Sequence, residues 1–125
     1  GGSKREELQE HEIRVTGPGK ERHYISYALS LLEDKEKPFI VLSAMGTAIN
    51  KSIAVAEIVK LRVPGLHQWN TIQTRALEEG RRQVSYMAIT LSSDPSLLER
   101  SDTLGYQAPL ASPGPPLQPS GGKPP

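Results

Sequence analysis

The stretch Pro38–Val63, PFIVLSAMGTAINKSIAVAEIVKLRV, decides the fold. It opens on four consecutive apolar residues, Phe39-Ile40-Val41-Leu42. A short unbroken run rich in β-branched and aromatic side chains predicts a strand buried on both faces. The period then changes. Ile49, Ile53, Ala56 and Val59 recur at helical spacing, and Ala48, Val55 and Ile58 broaden the stripe. The switch falls at Met45-Gly46-Thr47. Gly46 lets the backbone turn sharply and approach a partner closely. Thr47 is a residue type that caps the helix after it. A helix that starts here leaves its first N–H groups without intrahelical partners, which makes a seat for an anion. Asn50 and Lys51 fall in the first turns, beside that seat. Many α/β proteins join a strand to a helix through glycine and bind nothing there, so spacing alone leaves both readings open. With one glycine and a lysine well along the helix, this is not the phosphate-cradling loop of nucleotide-binding proteins.

Upstream, His11–Thr16 alternates, with Ile13 and Val15 on one side and Glu12 and Arg14 on the other, as a half-buried strand does. Gly17-Pro18-Gly19 breaks it. Lys20 and Arg22 stand at the mouth of a first helix, where cations are unfavourable against the helix dipole. Two of them kept there suit either an anion site or a solvated basic loop. Tyr24, Ile25, Ala28, Leu29, Leu31 and Leu32 give this helix its apolar face. Asp34–Lys37 reads as a charged turn, and Pro38 prevents the helix from continuing.

Downstream, Pro64-Gly65 ends the second helix. Leu66–Leu77 and Val84–Leu91 suit two strands joined by a hairpin tip, Glu78-Glu79-Gly80-Arg81-Arg82, with Gly80 as the turn residue. Arg75, Arg81 and Arg82 put three guanidinium groups on or near that tip. The order β-α-β-α-β-β predicts a two-layer α+β domain with both helices on one face. The last strand is apolar on both sides, with Val84, Tyr86 and Ala88 on one and Met87, Ile89 and Leu91 on the other. That surplus, together with the broad apolar surface of the second helix, predicts a dimer in which Ile89 takes part.

Composition narrows the function classes. Lys+Arg is 15 against 14 Asp+Glu, for a net charge of +1. This is not the balance of a protein that coats DNA by bulk charge, so any nucleic-acid contact must come from local clustering. There is no cysteine, hence no disulfide or thiolate chemistry. His11, His23 and His67 lack metal-ligand spacing, so no metal or cofactor is expected. No Ser, His and Asp are grouped as a triad, and Glu78-Glu79 reads as a solvated turn, so the expectation is not an enzyme. No run approaches the length of a membrane span, and no secretory or transit signal is visible, which predicts a cytoplasmic or nuclear protein. Eight of the 11 prolines fall from Pro95 onward. The expected division is therefore a cloning remnant and flexible lead-in over 1–10, a folded domain over 11–92, a partly ordered extension over 93–108 and a disordered Pro/Gly-rich tail over 109–125.

Three blocks resemble the Alba-domain family of nucleic-acid-binding proteins. Ser43-Ala44-Met45-Gly46-Thr47-Ala48-Ile49-Asn50-Lys51 is similar to its signature loop and helix. Gly19-Lys20-Glu21-Arg22-His23-Tyr24-Ile25-Ser26-Tyr27-Ala28 resembles its first loop and helix start. Glu57–Gln68 and Gly105-Tyr106-Gln107 resemble the eukaryotic branch related to a ribonuclease P/MRP protein subunit. The resemblance implies a fold similar to the C-terminal domain of bacterial translation initiation factor three. It also implies a homodimer, or a heterodimer with another Alba-family chain. Its implied ligand is RNA, with DNA as the second candidate, held by Lys20, Arg22, His23, Tyr24, Gly46, Thr47, Asn50 and Lys51, with Arg75, Arg81 and Arg82 reaching out as an arm. Two positions depart from the family's habit. Thr47 stands where Arg is frequent, and His23 where Asn is frequent. The competing expectation is a scaffold subunit that contributes protein–protein surface to a ribonucleoprotein.

Overall fold

A computed structural model describes residues 11–80, 82–94 and 105–110. The lead-in over 1–10, Arg81 and the tail from residue 111 onward lie outside the described residues. The elements are β1 (Glu12–Val15), α1 (Glu21–Leu29), β2 (Phe39–Met45), α2 (Ala48–Arg62), β3 (His67–Leu77), β4 (Arg82–Ser92) and β5 (Tyr106–Gln107). A π-helical turn, Ser30–Asp34, extends α1. It closes where Glu36 takes a positive φ of 50° and the Lys37 N–H bonds the Leu31 carbonyl.

The strands form one sheet in the order β1-β2-β4-β3-β5. β1 runs parallel to β2, the connection that α1 makes possible, and the other neighbours are antiparallel. Register sorts the side chains. Ile13 pairs with Leu42 and Val15 with Ala44; Ile40, Leu42 and Ala44 pair with Leu91, Ile89 and Met87. All eight are buried, against Ala28 and Leu31 of the first helical segment and Ala48, Val55, Ala56 and Val59 of α2. Both helices thus cover one face, and the core is aliphatic.

Among the described residues, no second layer covers the opposite face. The run Phe39–Leu42 therefore does not sit between two layers, as its unbroken apolarity predicts. Ile40 and Leu42 are fully buried, whereas Phe39 and Val41 are only half-buried on the outer face. The expectation that Ile89 serves a dimer surface is corrected in the same way. Ile89 has no exposed surface and packs in the monomer's own core. Large apolar side chains left exposed on the helix-bearing side instead include Ile53, 39% exposed, and Ile72, 71% exposed, with Leu61 of α2 exposed as well. Register identifies the side of Ile72, since its cross-strand partner is the buried Met87.

β5 is a strand that periodicity did not predict. It adds to the β3 edge through Gln68–Gln107 and Trp69–Tyr106 pairs. Gly105 makes this possible. Its φ is +96°, its carbonyl accepts the Asn70 N–H at 2.8 Å, and an added Cβ would lie 2.4 Å from the Asn70 carbonyl oxygen. The Tyr106 hydroxyl then meets His67 Nδ1 at 2.7 Å. Below the sheet, the buried Lys60 donates to Gln107 Oε1 and pairs with Glu57 at 2.8 Å.

Candidate nucleic-acid interface

The site lies at the end of the sheet where β2 runs into α2. Three chain segments meet there. The first is the loop after β1. Gly17-Pro18-Gly19 breaks the strand, and the loop is then fixed by a lysine from elsewhere in the sequence. Lys51 Nζ donates to the carbonyl oxygens of Thr16, at 3.0 Å, Gly17 and Gly19. An ammonium has three donors and no acceptor, so three converging carbonyls satisfy it. Tyr24 of α1 makes the second tether. Its hydroxyl oxygen accepts the Thr16 N–H at 3.0 Å and shares a further 3.0 Å bond with Thr16 Oγ1. These contacts, the side-chain one foremost, hold the Tyr24 phenol below its ordinary range; the nearby Lys51 charge adds to this, against the opposing effect of burial. Gly19 is packed beneath that hydroxyl, and a Cβ there would collide with the ring. Beyond the tethers, Lys20, Arg22 and His23 project exposed from the start of α1.

The second segment is the turn into α2. Gly46 has φ +62°, its N–H donates to the Ser85 carbonyl at 2.9 Å, and its own carbonyl accepts the Ile49 N–H at 3.1 Å. Thr47 occupies the N-cap position but has helical dihedrals and makes no side-chain capping bond, so the capping role that its residue type suggests is corrected. Its hydroxyl is not used by the helix, and Thr47 and Asn50 are both exposed. The third segment is the tip end of the β3–β4 hairpin, where Leu77 pairs with Arg82. Arg82 emerges there, 3.4 Å from Glu78 in an exposed pair of the kind worth little. Between the turn and the hairpin runs an open groove of about 690 Å³ whose walls include Gly46, Thr47, Asn50 and Arg82.

Four of the sequence-named residues thus share one groove, and Lys51 joins the first loop to the same helix start. Arg75 does not join them. It lies on the outer sheet face with its guanidinium carbon 3.9 Å from the centre of the Tyr86 ring. Arg81 is outside the described residues. Among the described residues no group of His, Asp and Glu could hold a metal ion, and no helix is long and apolar enough to cross a membrane. A profile of the family described as Alba matches residues 11–75, the part that builds the first loop, both helices and the turn between β2 and α2.

The chain belongs to the Alba family.

This Alba domain is 36% identical over 118 residues to the ribonuclease P protein subunit p25-like protein of Mus musculus, covering 82% of this chain and 71% of that protein. It is 35% identical over 119 residues to the DNA/RNA-binding protein ALBA1 of Plasmodium falciparum, covering 85% of this chain and 47% of the relative. The chain therefore spans about half the length of that ALBA1 protein. These are the names of binding or subunit proteins rather than of catalysts. Among solved structures, Alba from Thermoplasma volcanium aligns with a TM-score of 0.52 at 25% identity, over 65% of this chain and 98% of that one. ALBA1 from Trypanosoma brucei aligns with a TM-score of 0.56 at 21% identity, over 73% and 79%, and shows the shared fold.

Sequence reasoning missed Thr16, which receives both tethers of the first loop. It also reads Arg14 as the solvent side of a strand and Tyr86 as part of a dimer surface, where the structure sets both beside Arg75 on the outer sheet face. The missing signal is register. Arg14 stands opposite Ser43, and Tyr86 opposite Met45 and Gln73, pairings that periodicity within one strand does not contain.

Proposed function

We propose that this Alba domain binds nucleic acid, RNA in preference to DNA, by gripping the sugar–phosphate backbone. The observation that carries the reading is the Lys51 bridge. It holds the basic loop against the start of α2, so that Lys20 and Arg22 project beside a helix start, the end at which a helix presents N–H groups and a partial positive charge, with Arg82 across the groove. Backbone phosphates are the ligand such a site suits, and contacts of this kind give affinity with little sequence selection. Lys51 contributes through its charge and by fixing the loop, since carbonyls already occupy its donors. The near-neutral chain favours local contact with RNA over general coating of DNA. One relative's name includes DNA and RNA binding, and another's is that of a ribonuclease P subunit. The role that fits is ribonucleoprotein assembly, RNA stability or translational control, in the cytoplasm or nucleus.

A second Alba chain, identical or different, belongs to the same proposal. Ile53 and Ile72 support it, as large apolar side chains exposed on the helix-bearing side. If the domain acts instead as a scaffold subunit, this surface is its main asset and RNA binding is weak. A salt titration separates the two. With Lys20, Arg22 and Arg82 each meeting a phosphate of single-stranded RNA, log affinity falls against log salt with a slope of about −2, from ~0.7 per phosphate. A slope near zero, or binding only in the presence of a partner chain, favours the scaffold.

A further inference from the structure

The outer face of the sheet holds a feature that a backbone grip does not use. A cleft of about 330 Å³ lies at its site end, lined by Arg14, Gly17, Met45, Thr47, Arg75 and Tyr86 among others. Its size is at the small end of ligand pockets, which run from ~300 to ~1,000 Å³. Most of its lining is apolar, and two guanidinium groups stand over it. We propose that this cleft is a nucleobase subsite for single-stranded RNA, with Arg75 as the stacking platform. The proposal rests on the backbone-binding reading above and adds where the base of a gripped nucleotide goes.

Four observations point this way. First, Arg75 is placed before any ligand arrives. Its guanidinium lies over the Tyr86 ring at 3.9 Å, and Nε reaches Gln73 Oε1 at 3.5 Å. A guanidinium held on a ring is a planar surface on which a base can stack with little ordering cost. Second, Arg14 is available. Its nearest carboxylate oxygen, on Glu12, is 3.9 Å away and already takes the Ser43 hydroxyl at 2.6 Å. The Arg14 side chain is 75% exposed and can donate to a base edge or phosphate. Third, the cleft opens beside Gly17 and Thr47, members of the first loop and the α2 start, so one strand can use both sites. Fourth, its two cations match a polyanion.

The test compares two probes on the full chain, a short oligouridylate and an abasic ribose-phosphate strand of equal length and charge. The base-bearing probe binds about tenfold more tightly or better, the scale of one stacked base. Arg75→Lys keeps the charge but loses the plane, and brings the ratio to within about threefold. Tyr86→Leu removes the support under Arg75 and lowers the ratio in the same direction. Equal, salt-sensitive binding of both probes by the natural sequence overturns the base subsite and leaves the backbone grip standing. A full ratio retained in Arg75→Lys also overturns it, because the base then stacks elsewhere. Binding of neither probe removes the backbone grip and the subsite together.

Discussion

The two faces of the sheet are built from the same strands and serve different ends. On the covered face, Met87, Ile89 and Leu91 of β4 meet Ala44, Leu42 and Ile40 of β2 and vanish beneath the helices. One residue along in each case, Tyr86, Ala88 and Thr90 look outward beside Met45, Ser43 and Val41. Both sets are largely apolar. One holds the domain together, and the other is a half-buried surface edged by Arg14 and Arg75. Apolarity in a strand is therefore not enough to say which face is core. The helices decide it.

The largest effect separates the faces directly. Ile89→Asp places a carboxylate in the fully buried core and costs more than ~4 kcal/mol, enough to unfold much of a domain of ordinary stability. Ala88→Asp, one residue away on the open face, changes stability by less than about 1 kcal/mol. Urea unfolding of the two variants measures the gap, and equal losses would erase the distinction between the faces. The next effect tests how complete the helix cover is. Ile53→Asp combined with Ile72→Asp leaves the monomer's unfolding free energy within about 1 kcal/mol. In sedimentation at micromolar concentration the unsubstituted chain runs as a dimer and the double variant as a monomer. An unsubstituted chain that is already monomeric removes the partner chain from the proposal.

The smallest effect concerns the loop that joins the layers. The fold lowers the Tyr24 pKa, so its ionised form is favoured in the native state. The associated stability is fully present above the ordinary tyrosine value near ~10 and is lost as pH falls through the lowered one. Ultraviolet titration of the folded protein shows an early phenolate step that Tyr24→Phe deletes. If the step survives, Thr16 does not hold the Tyr24 oxygen in solution.

Much of the architecture could be read from local pattern. The switch of period at Gly46 located β2 and α2, and the alternation of Ile13 and Val15 located β1, because burial acts on those residues within a single element. The residues that form the groove were named from residue type and from the Alba resemblance. What pattern could not supply was pairing. Lys51 reads as a phosphate contact until the carbonyls of Thr16, Gly17 and Gly19, more than 30 positions away in sequence, are seen around it. Arg75 reads as a hairpin arm until its register opposite Val84, beside Tyr86, places it on the open face. Ile89 reads as surplus until the helices are laid over it. Each of these depends on which distant segment comes alongside, and that is set by the whole fold.

The docking of β5 has a consequence for the order in which the domain can be completed. A chain made from its N-terminus presents β1, α1, β2 and α2 first, and the β3–β4 hairpin can close the four-stranded core as soon as Ser92 has emerged. At that moment the outer edge of β3 is open at Gln68 and Trp69, and Lys60 lacks the Gln107 side chain. The segment from Gly105 to Gln107 arrives later and shuts that stretch of edge. Until then a nascent domain carries a strand edge able to pair with a neighbouring chain on the same message. Gly105, through its close seat on Asn70, is what lets the segment dock there once it arrives.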